Sequence, residues 1–152
     1  DGFTNAIQEH GYQGVRKGDF VVHSMDGFAG AIGVSDSEGK MSPVVHCYRP
    51  KQDTDSRFYA YLLRHFAEIG FISSLAKGIR ERSTSFDSST FMNLSLLKPS
   101  FSAQQQTADF LDRETNRIDA IIGKCRESVA LLRERRQALI TAAVTGELEV
   151  AA

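Results

Sequence analysis

The sequence predicts an α+β chain: a compact mixed domain over residues 1–101, one long α-helix over 102–146 that forms a coiled coil, and a tail at 147–152. Three observations carry that expectation. Short β-forming runs separated by glycine- and aspartate-bearing turns fill the first third. Helical periodicity takes over after residue 53. A proline-free stretch then carries apolar side chains every seven positions.

Residues 1–18, punctuated by Gly11, Gly14 and Gly18, read as loop with one short helix at most. Gly18-Asp19 turns into Phe20-Val21-Val22-His23, a strand candidate. Phe28 to Val34 is a second, with Asp26-Gly27 as the turn before it. Ser35 to Lys40 reads as a hairpin loop, and Ser42 to Tyr48 as a third strand closed by Pro50. Asp53 to Asp55 offer N-caps for a helix carrying Phe58, Tyr61, Leu62, His65, Phe66 and Ile69. Gly70 is its stop, and a second helix covers Phe71 to Lys77. Lys77 to Ser89 is a basic, serine-rich loop, and Asn93 to Leu97 a short strand leading to Pro99. Early antiparallel strands followed by helices make an α+β domain.

The long helix is bounded at both ends. Ser102 and Gln105 have capping-box spacing, Pro99 forces an extended approach, and Thr145-Gly146 is a stop. Its length is roughly 60 Å at the α-helical rise. Leu111, Ile118, Cys125, Leu132 and Leu139 recur every seven residues. Thr115, Ile122, Val129, Arg136 and Ala143 recur at the same period, offset by four, so both sets share one stripe. Ile121 and Leu131 widen it, and Gly123 is its weak point, costing about 1 kcal/mol against alanine. An ordinary amphipathic surface helix is the competing reading. The length argues against it, because so long a stripe overhangs any domain the remaining residues build and calls for a partner helix. The chain contains no second helix of that length.

Composition bounds the rest. Lys+Arg 18 against Asp+Glu 19 gives a net charge of −1, so no global basic field advertises nucleic acid and any polyanion site is local. Two cysteines make no disulfide framework, and Cys125 reads as a small apolar seam residue. No apolar run approaches bilayer-spanning length and no signal-peptide pattern opens the sequence, which predicts a cytoplasmic protein without a membrane partner. Asp1-Gly2-Phe3 opens mid-pattern, which points to a piece of a longer protein.

One local cluster has the chemistry of a DNA contact. In Ala76 to Thr84, Gly78 permits close backbone approach, and Arg80 and Arg82 carry forked donors suited to phosphate or a guanine edge. Lys77 adds charge and Ser83 a phosphate-type hydroxyl. The same residues also fit a solvated loop with both arginines in surface ion pairs, and the sequence leaves the two open. Asp26, Glu38 and Lys40 imitate the acidic–Glu-x-Lys set of Mg²⁺ nucleases. The Glu-Gly-Lys run falls in a tight turn, which speaks against catalysis. Gly27, Gly30 and Gly33 lack the Gly-x-Gly opening of a dinucleotide loop, and the four histidines have no metal-ligand spacing.

The last third carries a family pattern. Gln104-Gln105-Gln106-Thr107-Ala108-Asp109-Phe110-Leu111-Asp112-Arg113-Glu114-Thr115, then Arg117-Ile118-Asp119, resemble the start of the conserved helix in specificity subunits of type I restriction–modification systems. Glu134-Arg135-Arg136-Gln137-Ala138-Leu139-Ile140 and Ala143-Val144-Thr145-Gly146 resemble its end. Gln104 stands where that family commonly has a glutamate. Gly18 to Val21, Gly30 to Ser35, Gly39 to Pro43 and the Gly78-Ile79-Arg80 loop look like the second half of its target-recognition domain.

The resemblance implies a non-catalytic subunit that reads one half of a bipartite site in double-stranded DNA. It also implies docking of the methyltransferase and restriction subunits, which hold the S-adenosylmethionine, ATP and Mg²⁺ chemistry; this chain itself takes no cofactor and no metal. DNA contacts are expected at Lys77, Gly78, Arg80, Arg82 and Ser83, with Ser24 and Met25 in a neighbouring turn. A complete specificity subunit is similar to two such domains and two antiparallel helices. With one helix present, the seam predicts a homodimer. Two rivals stand beside this: a small nuclease using Asp26 and Glu38, and a coiled-coil interaction module without DNA readout.

Overall fold

The computed structural model describes residues 11–75, 86 and 88–148. The element order is β1 (Gln13–Val15), β2 (Phe20–His23), a 3₁₀ turn (Gly27–Ala29), β3 (Ile32–Val34), β4 (Gly39–Met41), β5 (Val45–Tyr48), α1 (Ser56–Glu68), α2 (Phe71–Leu75), α3 (Ser88–Met92) and α4 (Phe101–Thr145). This is an α+β fold with one long C-terminal helix. By internal contacts the chain divides into two units, residues 1–108 and residues 109–152.

Three antiparallel strands in the order β3-β2-β5 form the main sheet, with Val21 opposite Gly33 on one side and Cys47 on the other. Alternation along β2 buries Phe20 and Val22 and leaves Val21 and His23 half-buried. A second, two-stranded sheet pairs β1 with β4, Gly14 opposite Lys40. The Gln13 side-chain amide donates to the Val45 carbonyl and ties the two sheets together. Two expectations are corrected here. Residues 13–15 form a strand, not a loop, and Gly39-Lys40 lies in a strand instead of a tight turn. Neither run has an apolar alternation to announce it; each exists because the other supplies its hydrogen bonds.

The strand expected from Phe28 begins only at Ile32. Gly27–Ala29 is a 3₁₀ turn, and Gly30 ends it at φ 88°, a conformation that costs glycine little. Gly27 is buried where a Cβ would stand 3.2 Å from Val22 Cγ1 and 3.3 Å from Phe86 Cδ1.

Helix α1 starts where its caps predict. The Asp55 carboxylate accepts from the Arg57 N–H at 2.9 Å, and Gly70 follows the C-cap at φ 78°. Its buried stripe is Ser56, Ala60, Leu63 and Ala67, not the larger set expected from periodicity. Phe58, Tyr61, Leu62 and Phe66 are half-buried, and His65 and Ile69 are exposed. Helix α1 packs on β3, with Leu63 fully buried in the core and Tyr59 and Phe66 packed against it. Helix α3 lies where the sequence predicts only loop. Its Phe91 stacks against Phe20 (centroids 5.8 Å apart) and packs at 4.4 Å on Tyr48 and 6.1 Å on Phe86. The strand expected at residues 93–97 is irregular backbone: Leu94 and Leu96 alternate inward against the core, but no strand among the described residues pairs with them.

Helix α4 begins one residue before Ser102. Ser100 is the cap, its Oγ accepting from the Ala103 N–H at 3.3 Å, while Ser102 Oγ instead accepts from the Gln106 side chain at 3.1 Å. Gln104 on the first turn is fully buried. Its Oε1 accepts from the Asp55 N–H at 3.0 Å, and its Nε2 donates to the carbonyls of Pro99 (2.9 Å) and Asp53 (3.3 Å). At the far end Gly146 has φ 78°, and the Leu148 N–H closes onto the Ala142 carbonyl at 3.0 Å. Among the described residues no helix is long and apolar enough to cross a membrane.

Candidate nucleic-acid interface and helix seam

Of the residues expected to contact DNA, Lys77, Gly78, Arg80, Arg82 and Ser83 lie outside the described residues. The two ends of that segment are described. Before it, α2 buries Ile72 completely; after it, Phe86 is fully buried and its N–H donates to the Ser24 carbonyl at 2.9 Å. The described residues that flank this stretch in sequence, Ile72 and Phe86, are thus core residues, and Phe86 is bonded to the turn that holds Ser24 and Met25.

That turn is itself held from both sides. The Ser24 N–H donates to the Val44 carbonyl at 2.9 Å. His23 Nδ1 lies 3.1 Å from the Asp26 amide nitrogen and 3.0 Å from its Oδ2. Met25 is 48% exposed, and Ser24 is half-buried with both backbone groups occupied. Sequence reasoning misses the anchor residues Phe86 and Gly27. A lone phenylalanine in a serine-rich run is the available signal.

Among the described residues, no group of three or more His, Cys, Asp or Glu side chains is placed to hold an ion. The acidic chemistry that does converge is structural. Buried Asp19 accepts from the Arg16 N–H at 2.9 Å and the Cys47 thiol at 3.4 Å, with Arg49 at 3.8 Å. Burial first, then the hydrogen bond and negative charge of Asp19, push the Cys47 thiol up, so it stays protonated and donates. Burial opposes ionisation of Asp55, but hydrogen bonds from the Arg57 side chain and from the Arg57 and Phe58 N–H groups outweigh it and hold the carboxyl below its usual range. Burial raises the Tyr59 phenol.

A cleft of about 250 Å³ lies beside this cluster, walled by Phe20, Tyr48, Tyr59, Leu63 and Phe91, with Arg49 and Lys51 among its lining. Its walls come from β2, β5, α1 and α3, so no single stretch of sequence signals it.

The helix seam is continuous and open. Ile118, Ile122, Cys125, Val129, Leu132, Arg136, Leu139 and Ala143 are exposed, Leu132 by 64%, and Leu111 and Thr115 are half-buried. Thr115 Oγ1 donates to the Leu111 carbonyl at 2.7 Å, returning its hydroxyl to the helix. Ile121, Ile122, Cys125 and Val129 border a shallow apolar groove on this face. No residue from 109 to 148 is buried. In comparison with known proteins, no family model matches the chain and no curated protein matches it.

Proposed function

We propose that this chain is the DNA-recognition part of a type I restriction–modification specificity subunit. It is non-catalytic and works in the cytoplasm. It reads one half of a bipartite target in double-stranded DNA and docks the methyltransferase and restriction subunits, which supply S-adenosylmethionine, ATP and Mg²⁺ chemistry. The observation that carries this reading is α4, where the residue pattern resembling that family coincides with a seam left open along the helix.

Lys77, Gly78, Arg80, Arg82 and Ser83 meet phosphates and base edges, with Ser24 and Met25 beside them. The burial of Ile72 and Phe86, which flank the basic stretch in sequence, supports this reading. The long helix acts as a ruler: paired with a second copy, it sets the spacing between two half-sites. A coiled-coil interaction module without DNA readout is the second reading, favoured by the exposed seam taken alone.

The test mixes the chain with its cognate methyltransferase subunit and a random-sequence duplex pool and maps the methylated adenines. Methylation in one defined context, symmetric about a spacer, is expected, with weaker binding and a flatter salt dependence after Arg80→Ala and Arg82→Ala. Co-purification without methylation or DNA binding overturns DNA reading and leaves the interaction module.

A further inference from the structure

The cleft between β2, β5, α1 and α3 is apolar space that the domain's own side chains leave unfilled. Protein interiors pack nearly as densely as organic crystals, and voids larger than a water molecule are few. A space of about 250 Å³ beside a core therefore calls for an occupant. Buried Phe20 and Leu63 line it together with the half-buried rings of Tyr48, Tyr59 and Phe91. Both tyrosine hydroxyls are engaged outside it. That of Tyr48 lies 2.7 Å from Ser88 Oγ, and that of Tyr59 donates to the Leu97 carbonyl at 3.4 Å. Ser56 Oγ, another lining group, donates to the Gly18 carbonyl at 3.1 Å. The lining thus offers mainly ring and aliphatic carbon.

Charge enters this lining with one sign only. Arg49 and Lys51 belong to it and are exposed, and among the described residues no acidic side chain does. Arg49 has Asp19 at 3.8 Å from its Nε, longer than a charge-assisted hydrogen bond. An anion at the mouth would therefore meet donors not already bonded at short range.

We propose that this cleft binds a small aromatic carboxylate, with its ring system among the aromatic walls and its carboxylate between Arg49 and Lys51. A dry cavity of about 150 Å³ accepts benzene, so this larger space suits a fused bicycle of about ten ring atoms. Four surrounding rings offer it offset or edge-on contacts. A nucleobase fits less well, because its edge carries donors and acceptors that these walls leave unsatisfied. A neutral hydrocarbon would gain nothing from the two cations. The lining falls wholly within residues 1–108, and the site depends on neither DNA reading nor self-pairing.

Titrating the full chain with 2-naphthoate, followed by amide NMR, tests this. One saturable site is expected, with a Kd on the order of 100 µM and the largest shifts at Phe20, Tyr48, Tyr59 and Phe91. The uncharged 2-naphthamide should bind about tenfold more weakly. Arg49→Gln with Lys51→Gln, both at exposed positions, should bring the acid down to the affinity of the amide. Leu96→Trp, which adds bulk to the lining, should abolish binding of both. No saturable binding at millimolar ligand, undiminished binding by Leu96→Trp, or shifts centred on α4 overturns the site. Equal affinity for acid and amide, or an acid affinity unmoved by the two glutamine substitutions, overturns the carboxylate seat. Tighter binding of a tripeptide ending in phenylalanine overturns a free small acid in favour of a chain end.

Discussion

Residues up to Ala108 and residues from Asp109 onward solve the same problem in opposite ways. The first region encloses Phe20, Val22, Ile32, Ala60, Leu63, Ile72 and Phe86 in one core. The second, among its described residues, buries nothing, although it carries Ile118, Ile122, Leu132 and Leu139 in a regular stripe. Both regions contain amphipathic helices. Helix α1 reaches stability by covering its small-residue stripe with β3, at the entropic cost of ordering a tertiary structure. The open length of α4 has helix propensity and local pairs such as Arg113 with Glu114 at 3.2 Å, worth a few tenths of a kcal/mol each at most. A helix held by local terms alone is marginal in water, so under the proposed self-pairing the second region takes its stability from association, and the first takes it from folding.

The largest effect that would break this contrast comes from Phe86→Ala. Removing a fully buried aromatic side chain should cost about 3–5 kcal/mol. The loss should fall on the domain, seen as a lower melting transition by near-ultraviolet circular dichroism, while the far-ultraviolet helical signal of α4 persists. Both signals collapsing together at the lower temperature would mean that the two regions are one cooperative unit.

Gln104→Glu comes next. The amide Nε2 donates to two carbonyls, and a carboxylate would turn acceptor against acceptor in a fully buried site. The loss should be at least about 1–3 kcal/mol by urea denaturation, growing as pH rises and the new carboxyl ionises. An unchanged midpoint would remove Gln104 from the domain's supports.

Asp55 gives a pH signature. Its folded carboxyl titrates below the unfolded value of about 3.9. Its stabilising contribution is therefore complete above that value and is lost as pH falls through the folded one. Asp55→Ala should cost about 1 kcal/mol at neutral pH through loss of the cap and should flatten the acid limb of stability. A variant that keeps the full acid slope would place that slope elsewhere.

The smallest change sharpens the other side of the comparison. A methyl group added at Gly123 would meet nothing within 4 Å beyond its own helix, and in the seven-residue repeat this position points away from the seam. Gly123→Ala should stabilise the helix by about 1 kcal/mol, read as a higher melting temperature of the far-ultraviolet helical signal with the domain's transition unmoved. A fall in that temperature would mean that position 123 packs against another surface.

Legibility in the sequence follows the range of the forces involved. The helix from Ser102 to Gly146 and the start of α1 at Asp55 can be read because caps, stops and heptads act within a few residues. The Phe20–His23 strand can be read from its own alternation. Strand β1 cannot, nor the strand at Gly39–Met41, since three-residue ladders exist only through each other. Ser102 is an acceptable cap, yet Ser100 takes the role because burial of Gln104 sets where the first turn has to lie. Helix α3 forms around Phe91, which needs Phe20 and Tyr48 already in place.

The candidate site divides along the same line. Its basic residues and the seam are plain from residue type and spacing alone. What spacing cannot supply is the pairing of distant backbone: Phe86 closing onto Ser24, Gly27 leaving room for that ring, and Gln104 joining the loop at Asp53 to the carbonyl of Pro99. By itself the sequence determined the α+β class, the long helix with its limits, and the seven-residue seam, because each is a local pattern with a local cause. Tertiary structure decided which serine caps the helix, which face of α1 is buried, and that Phe86 closes onto Ser24, because those outcomes depend on groups far apart in the chain competing for the same space and the same hydrogen bonds.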